Sequence, residues 1–130
     1  MSDFNTAVSL VLKHEGGYTP GLPNDPGGET NWGIAKRWHP DLDIKNLTED
    51  QAKQIYQQEY WKPWMEQEPD QRVANCALDC AVSQGPAIAQ QFYTQFGHSI
   101  KEFQLARLLR YAALGKPQFN HSWFERCLDV

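Results

Sequence analysis

Apolar residues recur at helical spacing near the start of the chain. The first stripe, at i, i+3, i+4, i+7 and i+8, consists of Phe4, Ala7, Val8, Val11 and Leu12. Ser2 or Asp3 can cap this helix at its start, and the pair Gly16 and Gly17 can end it in a left-handed conformation. The pattern predicts an amphipathic helix over residues 3–15.

Helix-start motifs predict two further helices in the middle of the chain. Thr48 and Gln51 form a capping box, which predicts a helix that runs to about Tyr60 and stops before Pro63. A face of small residues then predicts a helix over residues 70–84. Because small side chains allow helices to approach closely, we expect this helix near the centre of the fold.

The same reasoning predicts a helical C-terminal part. Pro86 suits the first turn of a helix. Ser99 and Glu102 form a second capping box, for a helix that runs to Gly115. Asn120 can cap a short last helix. The chain is therefore predicted to be mainly helical.

One segment breaks the helical pattern. Between residues 19 and 28 every second or third position is Pro or Gly, which forbids a helix and discourages a central strand. The segment TNWGI, residues 30–34, is predicted to form one side of a small hairpin. We expect a mainly α fold with a small loop and β-hairpin insertion after the first helix.

Composition fits one ordinary globular domain over residues 1–130. The chain is 41% hydrophobic and 22% charged, and no apolar run approaches the roughly 18 residues of a membrane span. Its net charge of −4 argues against a nucleic-acid partner. The N-terminus lacks a basic region followed by an apolar block, so we expect synthesis in the cytoplasm without a signal peptide.

Cysteine usage fits a reducing compartment rather than a disulfide framework. The three cysteines, Cys76, Cys80 and Cys127, cannot all pair with one another. Cys76 and Cys80 lie four residues apart without further ligands at recognisable spacing, so buried thiols are favoured over a zinc site. No metal or other cofactor is predicted.

Glu15 is the first candidate for chemistry. It continues the apolar stripe of the first helix and stands at the C-terminal end, where the helix dipole is negative. Both circumstances penalise a negative charge on its carboxyl. A carboxyl that keeps its proton near neutral pH can serve as a general acid, for example toward a glycosidic oxygen. The alternative is a side chain that points into water at an ordinary helix end.

A second carboxylate follows in the loop. Asp25 lies in a turn between Pro23 and Pro26, where polar surroundings favour the ionised form. Two carboxylates in contrasting environments are typical of glycoside hydrolysis, although Asp25 is equally explained as a turn residue. The hydroxyl of Thr30 and the amide of Asn31 can hold a water molecule or a sugar hydroxyl.

Four segments in order carry a family resemblance: HEGGY, NDPGGETNWGI, LTEDQAKQIYQQEYWKPW and the weaker LDCAVSQGP. Together they resemble the N-acetylmuramidases of glycoside hydrolase family 108, which include phage endolysins and bacterial secretion-activator proteins. The resemblance is strongest over residues 8–86. It implies a lysozyme-like fold and Glu15 as the catalytic acid, with Asp25 and Thr30 in the order that phage lysozymes use.

Two departures from the family concern the C-terminal part. Residues 87–130 look shortened and lack the Asp-Gly and Gly-Pro segment of the family's peptidoglycan-binding region. Ser83 stands where the family commonly has Asn. Phe119, Trp123 and Arg126 still resemble the family's C-terminal helices. We therefore expect the helical scaffold to be complete. The sequence makes no prediction about binding to the cell wall.

Aromatic and acidic residues near the loop are secondary candidates. Trp32 and then Tyr18 are the best candidates for stacking on a sugar, with core packing as the alternative. Glu59 and Asp79, if buried near the cleft, are candidate structural anchors.

The resemblance implies a muramidase that hydrolyses the β-1,4 bond between N-acetylmuramic acid and N-acetylglucosamine. The alternatives are a lytic transglycosylase, which leaves an anhydro product, and a non-catalytic peptidoglycan-binding or release-accessory protein. The expected partner is the peptidoglycan glycan strand. We expect a monomer without stable membrane insertion, and access to the periplasm or cell wall through a holin or an export route.

Overall fold

The computed structural model describes residues 1–21, 28–115 and 117–130. Within these ranges the chain forms helices and one two-stranded antiparallel sheet, in the order α1 (Phe4–His14), β1 (Thr30–Asn31), β2 (Ile34–Ala35), α2 (Glu49–Glu59), α3 (Pro63–Gln67), α4 (Gln71–Gln84), α5 (Pro86–Phe96), α6 (Ile100–Ala113) and α7 (Pro117–Asp129). The mainly helical prediction with a hairpin after the first helix is confirmed.

Helix α1 begins and ends where its sequence predicts. The carboxylate of Asp3 accepts a hydrogen bond from the backbone N–H of Thr6 at 2.9 Å, so Asp3 is the N-cap. Four residues of the apolar stripe are buried and Phe4 is half-buried, and Glu15 is the C-cap residue, with an extended backbone. The chain therefore leaves the helix at the candidate acid.

The hairpin is tighter than its sequence suggests. Thr30 pairs with Ala35 and Asn31 with Ile34, so Trp32 and Gly33 form a two-residue turn. Both turn residues have positive φ, 55° and 78°, the geometry that matches the twist of two antiparallel strands. The prediction that TNWGI forms one side of the hairpin was wrong. A tryptophan rarely takes a left-handed backbone, so its residue type gives no indication of a turn.

The middle helices follow their caps. Thr48 and Gln51 form the predicted capping box at the start of α2, with hydrogen bonds of 2.9 and 3.2 Å. The short helix α3 was not predicted. It begins at Pro63, whose fixed φ suits a first helical turn as well as it ends the preceding helix.

Helix α4 lies at the centre of the fold, as its small residues predict. Residues 73–81 are all buried, and α4 packs against α1, α3, α5 and α6. Cys76 and Cys80 lie on this helix as free, buried thiols, and burial raises the pKa of each to about 12. The core therefore surrounds α4.

The C-terminal helices start at Pro86, after Ser99 and at Pro117. The start of the last helix corrects a prediction: Asn120 lies inside α7, which is longer than expected, because Pro117 already suits a first turn. In the described ranges, none of the helices has both the length and the hydropathy needed to cross a bilayer.

Candidate active site

The side chain of Glu15 lies at the junction of the first helix, the hairpin and the last helix. Its backbone N–H donates to the carbonyls of Val11 and Leu12, which closes the end of α1. About 20% of the side chain is exposed. The carboxyl is therefore fixed at its base by a helix end and is still accessible to a substrate.

Gly33 forms the hairpin side of this junction. A methyl group built on its Cα would lie 2.8 Å from both Cδ and Oε2 of Glu15, and closer still to the hydroxyl oxygen of Tyr56. The positive φ of Gly33 also disfavours any larger residue. Glycine is therefore required here on two grounds, because the carboxyl of Glu15 lies directly against the turn.

Buried polar contacts hold the turn in place. The hydroxyl of Tyr56 on α2 donates to the carbonyl of Trp32 at 2.7 Å. Tyr56 is 1% exposed, and burial raises its pKa, so the phenol stays a neutral donor. Asn31 and Trp32 both reach residues 44–47, where their side-chain nitrogens donate to the carbonyls of Ile44 and Leu47 at 3.0 Å. The hairpin is thereby tied to α2 and to the segment before it.

Arg126 forms the other side of the junction. Its Nη2 lies 3.0 Å from Oε1 of Glu15, and its Nε donates to Oδ1 of Asp79 at 2.8 Å. The Arg126 side chain is 15% exposed and that of Asp79 is fully buried. Asp79 is therefore buried and paired as predicted for an anchor, whereas Glu59, the other predicted anchor, is exposed and pairs with His39 at 2.8 Å. Sequence patterns did not indicate that Arg126 would face Glu15, because the two residues meet only through tertiary packing.

The other predicted site residues have varied surroundings. Tyr18 is 38% exposed and donates to the carboxylate of Glu29 at 2.6 Å, a hydrogen bond that raises the pKa of Tyr18. Thr30 lies on β1 and exchanges backbone hydrogen bonds with Thr19. Asn31 is only 7% exposed, and its amide braces the hairpin. Asp25 lies outside the described residues.

A cleft of about 660 Å³ opens beside the junction, between the end of α1 and the last turns of α7. His14 and Arg126 contribute to its wall. In the described part of the chain, no three His, Cys, Asp or Glu side chains come together as metal ligands would. Glu15 itself does not line this cleft but contacts Arg126, which does, and its partly exposed carboxyl can exchange a proton with a bound molecule.

Comparisons with known proteins agree with this architecture. The family model for Glycosyl hydrolase 108 matches residues 8–85, which include Glu15, the hairpin and Asp79. The solved structure of Brucella abortus SagA is similar, with a TM-score of 0.75 and 28% identity, over 95% of this chain and 88% of that one. A search of curated proteins finds no match. The lysozyme-like helical fold is thereby confirmed, and the chain belongs to glycosyl hydrolase family 108.

Proposed function

We propose that this protein is a muramidase, which hydrolyses the β-1,4 bond between N-acetylmuramic acid and N-acetylglucosamine in peptidoglycan. Membership of the family supports a glycosidase that degrades peptidoglycan. The observation that supports the finer proposal is the position of Glu15, whose partly exposed carboxyl lies between Gly33 and Arg126, and Arg126 in turn lines an open cleft.

The two oxygens of the Glu15 carboxyl have different surroundings. Arg126 contacts Oε1, whereas Oε2 lies against Gly33. In the proposed reaction Oε2 carries the proton and gives it to the glycosidic oxygen as the bond from that oxygen to C1 of N-acetylmuramic acid breaks. Water then adds to C1, and its released proton returns to the enzyme.

The same guanidinium also serves Asp79, so Glu15 shares its positive charge with a second carboxylate. Arg107 in turn pairs with Asp79, so two guanidinium groups alternate with two carboxyl groups. A planar guanidinium shared between two carboxyl groups fixes the position of both. The carboxyl of Glu15 is thereby held at Oε1, while Oε2 is the oxygen proposed to transfer the proton.

The remaining predicted residues take supporting roles in the proposal. Asp25 and Thr30 position the attacking water or stabilise the oxocarbenium-like state. Tyr18 and Trp32 stack on the glycan. Asn31 acts through the hairpin rather than on the sugar, because its amide nitrogen already donates to the carbonyl of Ile44.

Release of reducing ends from purified Gram-negative peptidoglycan tests the proposal. Wild type should release them, and Glu15→Gln should be slower by about 10²-fold or more, as general acid catalysis contributes about 10²–10⁴-fold. Glu66→Gln, which neutralises an exposed carboxylate on α3, should keep the wild-type rate.

Three outcomes would contradict this proposal. An inactive wild type that still binds peptidoglycan would favour a wall-binding protein. An active Glu15→Gln variant would assign the acid to another residue. Mass spectrometry of the released muropeptides supplies the third, because anhydro ends in place of reducing N-acetylmuramic acid would identify a lytic transglycosylase.

A further inference from the structure

Four charged side chains form a continuous chain from the core to the candidate acid. In order from the inside they are Arg107, Asp79, Arg126 and Glu15, with alternating sign. They come from four different helical segments: α6, α4, α7 and the end of α1. The chain of charges therefore joins parts of the molecule that are far apart in sequence.

The inner end of this chain is completely buried. Arg107 and Asp79 each have a side chain that is 0% exposed, and they form an ion pair with one another. Arg107 also donates from Nη1 to Oε1 of Gln104 at 3.0 Å. A buried charge that loses its partner is strongly destabilising, so each of these two groups fixes the other.

Asp79 divides its two oxygens between two arginines. Oδ2 faces Arg107, and Oδ1 accepts from Nε of Arg126 at 2.8 Å. The guanidinium group is planar and its donors are set at fixed angles. A hydrogen bond at Nε therefore determines the direction of Nη2, which is the nitrogen that lies 3.0 Å from Glu15.

We propose that Arg126 and Asp79 are positioning residues that hold the carboxyl of Glu15 in the orientation needed for proton transfer. This inference rests on the proposed function of Glu15 as the acid. Arg126 sets the position of Oε1, and Gly33 on the opposite side limits where Oε2 can lie. Asp79 acts one step further away, because it aims Arg126.

If these ion pairs only stabilised the fold, there would be no reason for the series of charged side chains to end at Glu15. Buried ion pairs are weak contributors to stability and are often replaced by apolar residues without loss. Exposure rises along this chain, from 0% at Asp79 to 15% at Arg126 and 20% at Glu15. The most exposed member of the series is therefore Glu15, the carboxyl proposed to protonate the glycosidic oxygen.

Kinetics of Arg126 variants on peptidoglycan test the inference. Arg126→Gln should lower kcat by about 10–100-fold and leave KM within about threefold, since it removes positioning rather than substrate binding. Arg126→Lys should recover only part of this loss, because an ammonium lacks the planar fork. Guanidinium chloride far below denaturing concentrations should partly restore Arg126→Gln.

The matched control is Arg72→Gln. Arg72 pairs with Asp70 at 3.1 Å on the surface of α4, where its side chain is 71% exposed. This variant should keep both kcat and KM. Melting temperatures of all variants identify any that fail to fold.

A measurement without substrate separates this inference from the proposed function. The Nε–H proton of Arg126 should give a nitrogen-correlated NMR signal that exchanges slowly with water, whereas that of exposed Arg72 should exchange rapidly. The signal should persist in Glu15→Gln, because Asp79 still accepts this bond, and should exchange faster in Asp79→Asn, whose single acceptor oxygen must serve both Arg107 and Arg126.

The outcomes are distinguishable. Loss of activity in Glu15→Gln together with an unchanged kcat in Arg126→Gln would overturn the positioning role and leave the proposed acid in place. An active Glu15→Gln variant would overturn the acid, and the positioning role with it. A rapidly exchanging Arg126 Nε–H in folded wild-type protein would overturn the role of Asp79. If Asp79→Asn does not fold, the positioning role is still tested by the kcat of Arg126→Gln and by the exchange rate of the Arg126 Nε–H in wild type.

Discussion

The two sides of Glu15 hold the same carboxyl by different means. The hairpin side uses backbone shape and neutral hydrogen bonds: the left-handed turn at Gly33 and the Tyr56 hydroxyl on the carbonyl of Trp32. The helical side uses full charges, with Arg126 between Glu15 and buried Asp79. One side limits the position of the carboxyl by contact, and the other by attraction.

The two sides should differ in their sensitivity to pH and salt. Hydrogen bonds between neutral groups change little with pH or salt, and each contributes about 1 kcal/mol to stability. Charged groups depend on protonation, and removal of one partner leaves the other unpaired. We therefore expect substitutions on the hairpin side to act through shape and those on the helical side to act through charge.

The largest effect is expected from Gly33→Ala. The added methyl group would meet Tyr56 and the carboxyl of Glu15, and a left-handed backbone costs a non-glycine residue about 1–2 kcal/mol. We expect a loss of about 2 kcal/mol or more in the free energy of unfolding, measured with urea. The rate on peptidoglycan should fall by about 10²-fold, because misplacement of a reacting group by about 1 Å has effects of that size.

Gly115→Ala separates the two causes. Gly115 has φ of +70°, close to the 78° of Gly33, but a methyl group there would meet no described atom within 4 Å. This variant should lose about 1–2 kcal/mol for the backbone alone and keep its activity. Equal activity losses in the two variants would contradict close contact at Gly33.

A smaller effect is expected from Tyr56→Phe. It removes the donor to the carbonyl of Trp32 and leaves a partly buried acceptor unpaired, which costs about 1 kcal/mol. The stability loss of Tyr56→Phe is measured as a change in the free energy of unfolding at neutral pH. Tyr18→Phe removes the exposed hydrogen bond to Glu29 and should change stability less. An unchanged stability in Tyr56→Phe would mean that the turn is held by packing alone.

The smallest effect concerns the exposed part of the charged side. Asp129 on α7 lies 2.9 Å from both Lys13 and His14 at the end of α1. The hydrogen bond from Lys13 is the main reason that the pKa of Asp129 is lowered. The stability from this contact is therefore present above the carboxyl's unfolded pKa of about 3.9 and is lost as pH falls through the lower folded value.

Asp129→Asn should lower the melting temperature slightly at neutral pH, since exposed ion pairs contribute little. The difference from wild type should shrink once the pH falls below about 4. A difference that stays constant or grows toward low pH would contradict an ion pair as its source.

Local sequence rules predicted the helix ends near Glu15 better than the contacts that hold its carboxyl. The first helix, its end at Glu15 and the capping box of Thr48 with Gln51 follow from residues a few positions apart. The position of Trp32 in the turn was not predicted. Its left-handed backbone depends on tertiary contacts, including the hydrogen bond from its ring nitrogen to the carbonyl of Leu47.

The ion pairs on the helical side could not be predicted from local sequence rules. Arg126 and Glu15 are separated by most of the chain, and nothing in the spacing of either indicates the other. The helix end and the apolar stripe that point to Glu15 both belong to its own helix. Neither indicates the guanidinium that α7 brings to its carboxyl.

We propose that the carboxyl of Glu15 acts from one fixed position between Gly33 and Arg126. Glu15→Asp is the sharpest test of this position, because it keeps the carboxyl and withdraws it by about 1.5 Å, one carbon–carbon bond. The measurement is the release of reducing ends from Gram-negative peptidoglycan by folded Glu15→Asp, beside wild type and Glu15→Gln. We predict that Glu15→Asp falls by about 10²-fold, toward Glu15→Gln. A wild-type rate for Glu15→Asp would contradict the claim, because a carboxyl at a different distance would then serve equally well.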